Sequence, residues 1–272
     1  MTERADRIAV FRQLHESGCF VIPNPWDVGS ARALVQLGFK ALATTSAGFA
    51  WSRGHADHHV TVEMAVAHLR AMAGAVDVPV NADFEGADAI APEAVAHHVS
   101  QATTTGIAGL SVEDSTDDPK EPLFEFGLAV DRIKAARKAI DESRTGVLLT
   151  ARTEGFIAGR PDLKETIRRL TAFAEAGADC LYAPGLRTLD DIRAVVSAVA
   201  PKPVNVLVGA DFTTVEQLAS AGVRRISVGG ALARTAWTGF LQAAQEIAGR
   251  GTFTAFAKTV AHTDINRLLN DL

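Results

Sequence analysis

Residues 78–83 read Val-Pro-Val-Asn-Ala-Asp, a short apolar run that ends in polar side chains, and runs of this kind recur along the chain. A stretch with apolar residues at helical spacing follows each run. The pattern predicts eight successive βα units, whose parallel strands close most naturally into an α/β fold of the (β/α)8 TIM barrel type. The other seven predicted strands are residues 21–23, 41–45, 109–113, 147–151, 180–183, 204–208 and 225–228.

The rest of the chain adds helices at both ends of the barrel. Residues 3–17 carry apolar side chains at helical spacing, which predicts an extra N-terminal helix. Residues 253–272 predict a C-terminal helical extension, whose apolar stripe should lie on the outside of the barrel or against a partner subunit. Since a barrel of about 250 residues is one domain, we interpret residues 1–272 as a single domain.

Composition excludes several classes of function. The chain has 272 residues, of which 47% are hydrophobic and 22% charged, so it can bury a large core. Its net charge of -5 offers no basic surface for nucleic acid or an anionic membrane. No apolar run approaches the roughly 18 residues of a membrane span, and no signal-peptide pattern begins the chain. We therefore expect a cytoplasmic protein with no nucleic-acid or membrane partner.

Acidic residues follow two neighbouring predicted strands. Asn81, Asp83 and Glu85 end the third strand, and Glu113 ends the fourth. Because adjacent strands lie about 4.8 Å apart, these side chains should meet at the barrel mouth, where carboxylates repel one another unless a cation or proton lies between them. Oxygen ligands favour Mg²⁺ or Mn²⁺ over Zn²⁺. The alternative is that one or two of these residues only cap helices.

Two further strand ends carry candidate binding groups. Residues 44–48 are small, and their backbone N–H groups and a hydroxyl can hold a carboxylate or phosphate, although a plain tight turn fits them equally well. Arg152 ends the fifth strand, and its guanidinium fork fits a carboxylate. The alternative for Arg152 is a structural salt bridge to Glu154 or Glu113.

The loop after the second predicted strand is rich in histidine. His55, His58 and His59 lie in this polar segment, and we interpret them as solvated rather than as metal ligands. Asp57, in the same loop, is the one residue there that we retain as a candidate ligand.

With these residues the chain resembles the isocitrate lyase/phosphoenolpyruvate mutase superfamily over most of the barrel. The resemblance rests on colinear motifs: Asn-Pro-Trp-Asp (24–27), Thr-Thr-Ser-Ala-Gly (44–48), Val-Asn-Ala-Asp-Phe-Glu (80–85), Ser-Val-Glu-Asp-Ser (111–115), Ala-Arg-Thr-Glu (151–154), Ala-Gly-Ala-Asp-Cys (176–180), Pro-Val-Asn-Val-Leu (203–207) and Arg-Arg-Ile-Ser-Val-Gly (224–229). It implies a Mg²⁺-dependent enzyme, with Mn²⁺ as a substitute, acting on a small 2-oxo carboxylate. Such enzymes break or form a C–C or P–C bond through a metal-stabilised enolate.

The resemblance also implies roles for individual residues and an assembly. Arg152, Glu113 and Ser46 form the implied catalytic set. The implied substrate-binding residues are Ser46, Ala47, Gly48, Arg152 and Asn205. The implied metal ligands are Asp57, Asp83, Glu85, Glu113 and Asn81. Asn81 stands where the family often has Asp, and Glu85 is expected to restore the missing charge. The implied assembly is a homo-oligomer, a dimer or tetramer, in which subunits exchange the last barrel helix.

The chain departs from the family's lyases in the loop after Glu113. Those lyases carry a Lys-Lys/Arg-Cys-Gly-His segment there, whose Cys acts as acid and base. Residues 115–124 contain neither Cys nor His. We therefore expect no isocitrate or methylisocitrate cleavage. What remains is another lyase activity, a phosphonomutase of the carboxyvinyl-carboxyphosphonate phosphorylmutase type, or a 2-oxo acid hydrolase.

Three other function classes compete with this interpretation. A Schiff-base aldolase needs a lysine at a strand's C-terminal end, and lysines such as Lys40 and Lys202 precede strands instead. A phosphosugar enzyme would use Gly229-Gly230, after the eighth strand, to bind phosphate. A non-catalytic metabolite-binding barrel would explain the lost lyase loop and Asn81.

Overall fold

The computed structural model describes residues 3–116 and 118–270. Its eight strands are all parallel and follow the order β1-β8-β7-β6-β5-β4-β3-β2. A backbone hydrogen bond of 3.0 Å from Ala43 to Pro23 joins the two ends of this order. The predicted (β/α)8 barrel is thereby confirmed. The strands are β1 Phe20–Ile22, β2 Leu42–Ala43, β3 Val80–Asp83, β4 Gly109–Glu113, β5 Leu148–Arg152, β6 Cys180–Tyr182, β7 Val204–Leu207 and β8 Arg225–Ser227.

Helices surround this sheet because apolar side chains repeat at helical spacing between the strands. Asp27 and Thr61 cap the helices that follow them, and Pro92 begins a third. The helices are α1 Glu3–Glu16, α2 Val28–Gln36, α3 Ser46–Ser52, α4 Val62–Ala75, α5 Pro92–Thr103, α6 Phe126–Ser143, α7 Leu163–Glu175, α8 Leu189–Val199, α9 Val215–Ser220, α10 Ala231–Arg250 and α11 His262–Asn270.

The extra N-terminal helix closes the end of the barrel at which the strands begin. Phe11 of α1 is fully buried, and its ring lies edge-on to His15 and Phe20. Gly109 makes this approach possible, because a Cβ atom there would lie 2.7 Å from the Phe11 ring. The opposite end of the barrel stays open as the mouth.

The first, second and eighth strands meet at Asn24. Its Nδ2 donates to the Thr44 carbonyl over 2.9 Å, and its Oδ1 accepts from the N–H groups of Val228 and Gly229, each over 2.9 Å. One buried amide therefore holds the barrel closed at its mouth.

The C-terminal extension is helical, as predicted, and consists of two short helices. A short 3-10 helix, Thr254–Lys258, precedes α11, and residues 271–272 lie outside the described part of the chain. Glu246 of α10 accepts hydrogen bonds from Thr252 and Thr254, which bend the chain back after Gly251. No helix in the described ranges is both long enough and apolar enough to cross a membrane.

Candidate active site

Arg152, the last residue of β5, lies among three carboxylates at the barrel mouth. Its Nε lies 3.2 Å from Oε2 of Glu113 and also donates to Oε1 of Glu154, and its Nη1 donates to Oδ1 of Asp83 over 3.4 Å. Burial disfavours the charged guanidinium, but Glu113 and Glu154 outweigh burial and hold the pKa of Arg152 well above its ordinary value. The alternative interpretation of Arg152 was a structural salt bridge to Glu154 or Glu113, and the structure shows contacts with both carboxylates.

Asp83, at the end of β3, is held by groups from neighbouring strands. The backbone N–H and the hydroxyl of Ser46 both donate to Oδ2 of Asp83 over 3.2 Å. Its own N–H donates to the Thr44 hydroxyl over 2.9 Å. On the next strand, the Ser115 hydroxyl donates to Oε1 of Glu113 over 2.6 Å. Serine and threonine hydroxyls thus orient both carboxylates.

The segment 44–48 leads into α3, which begins at Ser46, so it is neither an open anion-binding loop nor a plain tight turn. Thr45 caps this helix, and its hydroxyl accepts from the Gly48 N–H over 3.2 Å. The Ser46 N–H already donates to Asp83. The expectation that this segment exposes its N–H groups is therefore wrong for Ser46 and Gly48, and the binding of a substrate carboxylate by Ser46, Ala47 and Gly48 stays a prediction.

A second acidic group lies farther out on the mouth. Ligand atoms of Asp57, His58 and Glu85 all lie within 4.8 Å of one another. Nδ1 of His58 is 3.4 Å from Oε1 of Glu85, and Nε2 of His58 is 3.9 Å from Oδ2 of Asp57. The His58 side chain is 54% exposed, as expected of a solvated loop residue, and it also contacts both carboxylates. Sequence spacing could not show this contact, because Glu85 follows another strand.

Glu85 connects the two acidic groups. Its carbonyl accepts from the Glu113 N–H over 3.0 Å, and its φ of +49° turns the chain sharply there. Burial, followed by the charge of Asp83, raises the pKa of Glu85 to about 7, and His58 partly offsets this rise. Burial and the crowding of these carboxylates thus favour the protonated form of Glu85.

The donor set fits a divalent metal. Oε1 of Glu85 is buried and, although it lies 3.4 Å from Nδ1 of His58, it makes no hydrogen bond among the described residues. A cation would satisfy this oxygen. Carboxylate oxygens suit Mg²⁺ or Mn²⁺, and the nearby imidazole would favour Mn²⁺. The predicted ligands nevertheless fall into two groups: Asp83 and Glu113 contact Arg152, whereas Asp57 and Glu85 lie with His58.

Asn81 lies deeper in the barrel than these carboxylates. Its Nδ2 contacts the Ala82 carbonyl over 3.1 Å, and its buried Oδ1 has no hydrogen-bond partner in the part of the chain that the structure describes. A Cβ atom on Gly109 would lie 2.6 Å from that oxygen. The assignment of Asn81 as a metal ligand stays a prediction.

Asp114, which directly follows Glu113, supports the site structurally. Its carboxylate accepts from the Thr153 hydroxyl over 2.8 Å, from the Glu154 N–H over 2.9 Å and from Nη1 of Arg169 over 3.0 Å. These contacts fix the turn after β5, which carries Glu154 against Arg152. Asp114 belongs to the motif at 111–115, and its contacts give it a structural role beside the candidate ligand Glu113.

Arg132 supports the loop after β3 in the same manner. It is buried, and it donates to the carbonyls of Gly86, Ile90 and Glu113 over 2.7, 3.1 and 3.3 Å. Gly86 and Ile90 lie in the loop that carries Glu85, and Glu113 ends β4. Arg132 therefore joins this loop to the end of β4.

The predicted binding residue Asn205 lies inside the barrel below Arg152. It is 1% exposed, and its amide contacts Arg225 and Ser227. One polar cavity runs from the mouth to these side chains, and its lining includes Asp83, Ser111, Arg152, Tyr182, Asn205, Arg225 and Ser227.

Comparison with known proteins places this site in a family. Residues 11–248 match the family model described as phosphoenolpyruvate phosphomutase. The chain belongs to that family. The resemblance carried by the sequence motifs is thereby confirmed.

Relatives of known sequence or structure agree with this membership. A crystal structure from Burkholderia cenocepacia J2315, provisionally named a lyase/mutase, superposes with a TM-score of 0.95 at 44% identity, over 98% of this chain and 97% of that one. The uncharacterised protein Rv1998c of Mycobacterium tuberculosis is 34% identical over 80% of this chain and 81% of its own. Oxaloacetate acetylhydrolase, in complex with its product oxalate, superposes with a TM-score of 0.85 at 25% identity, over 98% and 94%.

Within this phosphoenolpyruvate phosphomutase family barrel, the turn after β8 already uses part of its N–H donors on Asn24. The N–H groups of Val228 and Gly229 both donate to Asn24. A phosphosugar enzyme would need those donors for its ligand, so this arrangement counts against that alternative.

Proposed function

We propose that this protein is a divalent-metal-dependent enzyme that breaks or forms a C–C or P–C bond beside the oxo group of a small 2-oxo carboxylate. The observation that carries the proposal is the convergence of Asp83, Glu113 and Arg152 at the barrel mouth, with Glu85 hydrogen-bonded through its backbone to Glu113. Family membership supports the same reaction class.

The acidic side chains have the role of metal ligands in this proposal. Asp83, Glu113, Glu85 and Asp57 would hold Mg²⁺ or Mn²⁺ directly or through water. When bound, the cation supplies positive charge to the oxygen on which an enolate develops. Ser46 keeps the Asp83 carboxylate in one orientation through its two hydrogen bonds.

Arg152 binds substrate oxygens in this proposal. A guanidinium has five N–H donors, and the hydrogen bonds to Glu154 and Asp83 come from Nε and Nη1. The side chain also lines the cavity below the mouth. Donors therefore remain for a carboxylate, while Glu113 and Glu154 keep the group charged.

A substrate screen tests this function. The purified protein, supplemented with Mg²⁺, is assayed with oxaloacetate, phosphonopyruvate, phosphoenolpyruvate and branched 2-oxo acid derivatives. We expect turnover of at least one of them, lost in EDTA and restored by Mg²⁺ or Mn²⁺. Saturable binding of these acids without any turnover would instead support a non-catalytic metabolite-binding barrel.

We also propose that the protein is a homo-oligomer, a dimer or a tetramer, in which subunits exchange α10. Only Ala233 and Glu246 are buried among the residues of this helix. Its exposed side chains include Trp237, Phe240 and Leu241. A helix that leaves its aromatic face uncovered on its own barrel supports packing against a second copy.

A further inference from the structure

The loop after β3, residues 85–90, has an unusual backbone conformation. Glu85, Ala87 and Asp88 have φ angles of +49°, +58° and +46°. L-amino acids avoid this left-handed region because the Cβ atom comes too close to a carbonyl oxygen. Strain of this kind persists only where the surrounding contacts determine the conformation, and it is concentrated at functional sites. The groups that hold this loop therefore bear on the function of Glu85.

Five carbonyls of the loop accept hydrogen bonds from groups outside it. The Glu85 carbonyl accepts from the Glu113 N–H over 3.0 Å. Nδ1 of His98, on α5, lies 2.7 Å from the Ala87 carbonyl, and it must carry the proton because a carbonyl can only accept. The other three carbonyls accept from Arg132 of α6 and belong to Gly86, Ala89 and Ile90. The loop is thus held from its first residue to its last.

Arg132 reaches both ends of the loop through the two arms of its guanidinium. Nη2 donates to the carbonyls of Gly86 and Glu113 over 2.7 and 3.3 Å, and Nη1 donates to that of Ile90 over 3.1 Å. The guanidinium carbon lies 4.1 Å from the centre of the Phe124 ring, and the side chain is 1% exposed. A lysine ammonium is a single point of charge and could not span these carbonyls in the same geometry. The position therefore requires the planar fork of arginine.

The conformation of the loop determines where the Glu85 carboxylate lies. One of its oxygens lies within 4.8 Å of ligand atoms of both Asp57 and His58. A change of φ at Glu85 to the extended region would rotate its Cα–Cβ bond and move the carboxylate away from those groups. Because Arg132 and His98 hold the residues that follow Glu85, they oppose this change.

We propose that Arg132 and His98 are positioning residues that hold the loop 85–90 in the conformation in which the Glu85 carboxylate can bind the metal. This inference rests on the proposed function, in which Glu85 is a ligand of Mg²⁺ or Mn²⁺. The two side chains act through the backbone that carries Glu85 rather than by contact with metal or substrate. Loss of either should therefore weaken metal binding even though every ligand remains in the chain.

Mn²⁺ affinity measured by electron paramagnetic resonance tests the inference. Arg132→Lys keeps the charge but loses the fork, so Mn²⁺ should bind about tenfold or more weakly, as is typical when groups that orient metal ligands are altered. Arg137→Lys is the matched control, because Arg137 lies on the same helix and pairs with Asp141 and Asp179 instead. This control should lose stability but keep Mn²⁺ affinity within about twofold.

Hydrogen exchange in EDTA gives a readout that needs neither metal nor turnover. The Ala87 N–H donates to the Phe84 carbonyl over 2.8 Å, and the Glu113 N–H donates to the Glu85 carbonyl. In Arg132→Lys these two amides should exchange about threefold or more faster, because the loop opens more often once hydrogen bonds that hold it are lost. In Arg137→Lys they should exchange at the unaltered rate.

His98 is tested by a pair of substitutions. Asparagine can place its Nδ2 where Nδ1 of histidine lies, so His98→Asn should keep Mn²⁺ affinity, whereas His98→Leu should lose about threefold, the size of one hydrogen bond. This pair keeps the inference testable if Arg132→Lys does not fold. Folding of each variant is checked by circular dichroism.

Substitutions of Asp88 test the backbone strain itself. Asp88→Gly and Asp88→Ala remove the same charge, but only glycine adopts a φ of +46° freely. When each is combined with Arg132→Lys, Asp88→Gly should bind Mn²⁺ about threefold or more tightly than Asp88→Ala. With Arg132 in place the two should differ by less than about twofold, because the arginine holds the loop in either case.

The inference is overturned if folded Arg132→Lys binds Mn²⁺ within about twofold of the unaltered protein, if Arg137→Lys weakens binding equally, or if His98→Leu and His98→Asn bind alike. Equal Mn²⁺ affinity of Asp88→Gly and Asp88→Ala in the Arg132→Lys background would also contradict it. These outcomes are distinct from failure of the proposed function. A protein that shows the expected differences in Mn²⁺ affinity but turns over no 2-oxo acid would retain the two positioning residues and lose the proposed enzyme activity.

Discussion

Ser46 donates both its backbone N–H and its hydroxyl to one oxygen of Asp83, each over 3.2 Å. The other oxygen of Asp83 faces Nη1 of Arg152 at 3.4 Å and the Ser111 hydroxyl at 3.5 Å. A carboxylate with donors on both oxygens has one orientation. Ser46, the first residue of α3, thus fixes the carboxylate of Asp83, the last residue of β3. In the proposed reaction, this carboxylate binds the metal and contacts Arg152, which binds the substrate.

Removal of the Asp83 charge should weaken metal binding. We expect Asp83→Asn to lose about tenfold or more in Mn²⁺ affinity and to have no metal-dependent turnover, because the amide is neutral and offers one acceptor oxygen where the carboxylate offers two. Mn²⁺ binding measured by electron paramagnetic resonance checks this. Asp131→Asn, at an exposed position of α6 that pairs with Lys134, is the matched control. Full activity of the unaltered protein in EDTA would contradict the metal assignment.

Glu85 should make the stability of the metal-free protein depend on pH. Its pKa is raised from 4.5 to about 7 by burial and by Asp83, so the folded state keeps a proton that the unfolded chain releases. The free energy of unfolding should therefore fall as pH rises from about 4.5 to about 7. Glu85→Gln should remove this loss and stabilise the protein at pH 8 by on the order of 1–3 kcal/mol, with no gain at pH 4.

Urea unfolding in EDTA at both pH values measures this effect of Glu85. Glu142→Gln, at an exposed position of α6 that pairs with Lys138, should show no such difference between the two pH values. Equal gains at pH 4 and pH 8 in Glu85→Gln would mean that the substitution acts through packing rather than through ionisation.

Arg152 should not tolerate lysine. Arg152→Lys keeps the charge but loses the planar fork that contacts Asp83, Glu113 and Glu154, so 2-oxo acid binding should weaken by about tenfold or more. Titration with oxaloacetate or pyruvate in Mg²⁺ measures the change. Arg168→Lys, at an exposed position of α7 beside Glu165, is the control. Unchanged binding would leave Arg152 with a purely structural role in its salt bridges.

The barrel could be predicted from sequence because its signal is local and repeated. Each strand is a short apolar run followed by a helix, and residues such as Asp27 and Thr61 mark the helix starts through hydrogen bonds to nearby N–H groups. The start of α3 was missed because Ser46, Ala47 and Gly48 have small side chains with no apolar periodicity. Its capping residue, Thr45, fits a turn equally well.

The site was only partly predictable because its contacts join distant strands. Side chains that follow β3, β4 and β5 were expected to meet, since parallel strands end at the same edge of a sheet. The contact of His58 with Glu85 and that of His15 with Arg225 depend on how a loop or a terminal helix folds over the barrel. No spacing within one segment carries that information.

Isocitrate and methylisocitrate should not be cleaved by this protein. The loop at 115–124 has neither Cys nor His, and Ser115 instead pairs with Leu123 while the Thr116 N–H donates to the Pro122 carbonyl. With no thiol acid in the loop, a succinate-type leaving group lacks its proton donor. Assays for glyoxylate and pyruvate should find none, with oxaloacetate tested in parallel as a positive comparison. Clear release of either product would show that another side chain supplies that proton.

The native mass should be a multiple of the 28.7 kDa chain. Exposed apolar side chains continue from Trp237 and Phe240 on α10 to Phe253 and Phe256 beyond it, and leaving such a surface in water costs about 25 cal/mol per Å². Light scattering at micromolar concentration should give a dimer or tetramer. Truncation after Gly251 removes part of the interface and should give a dissociated or aggregating protein. Leu37→Ser, at the exposed position just after α2, should keep the native mass. A measured mass of 28.7 kDa for the full chain would contradict the exchange of α10 between subunits.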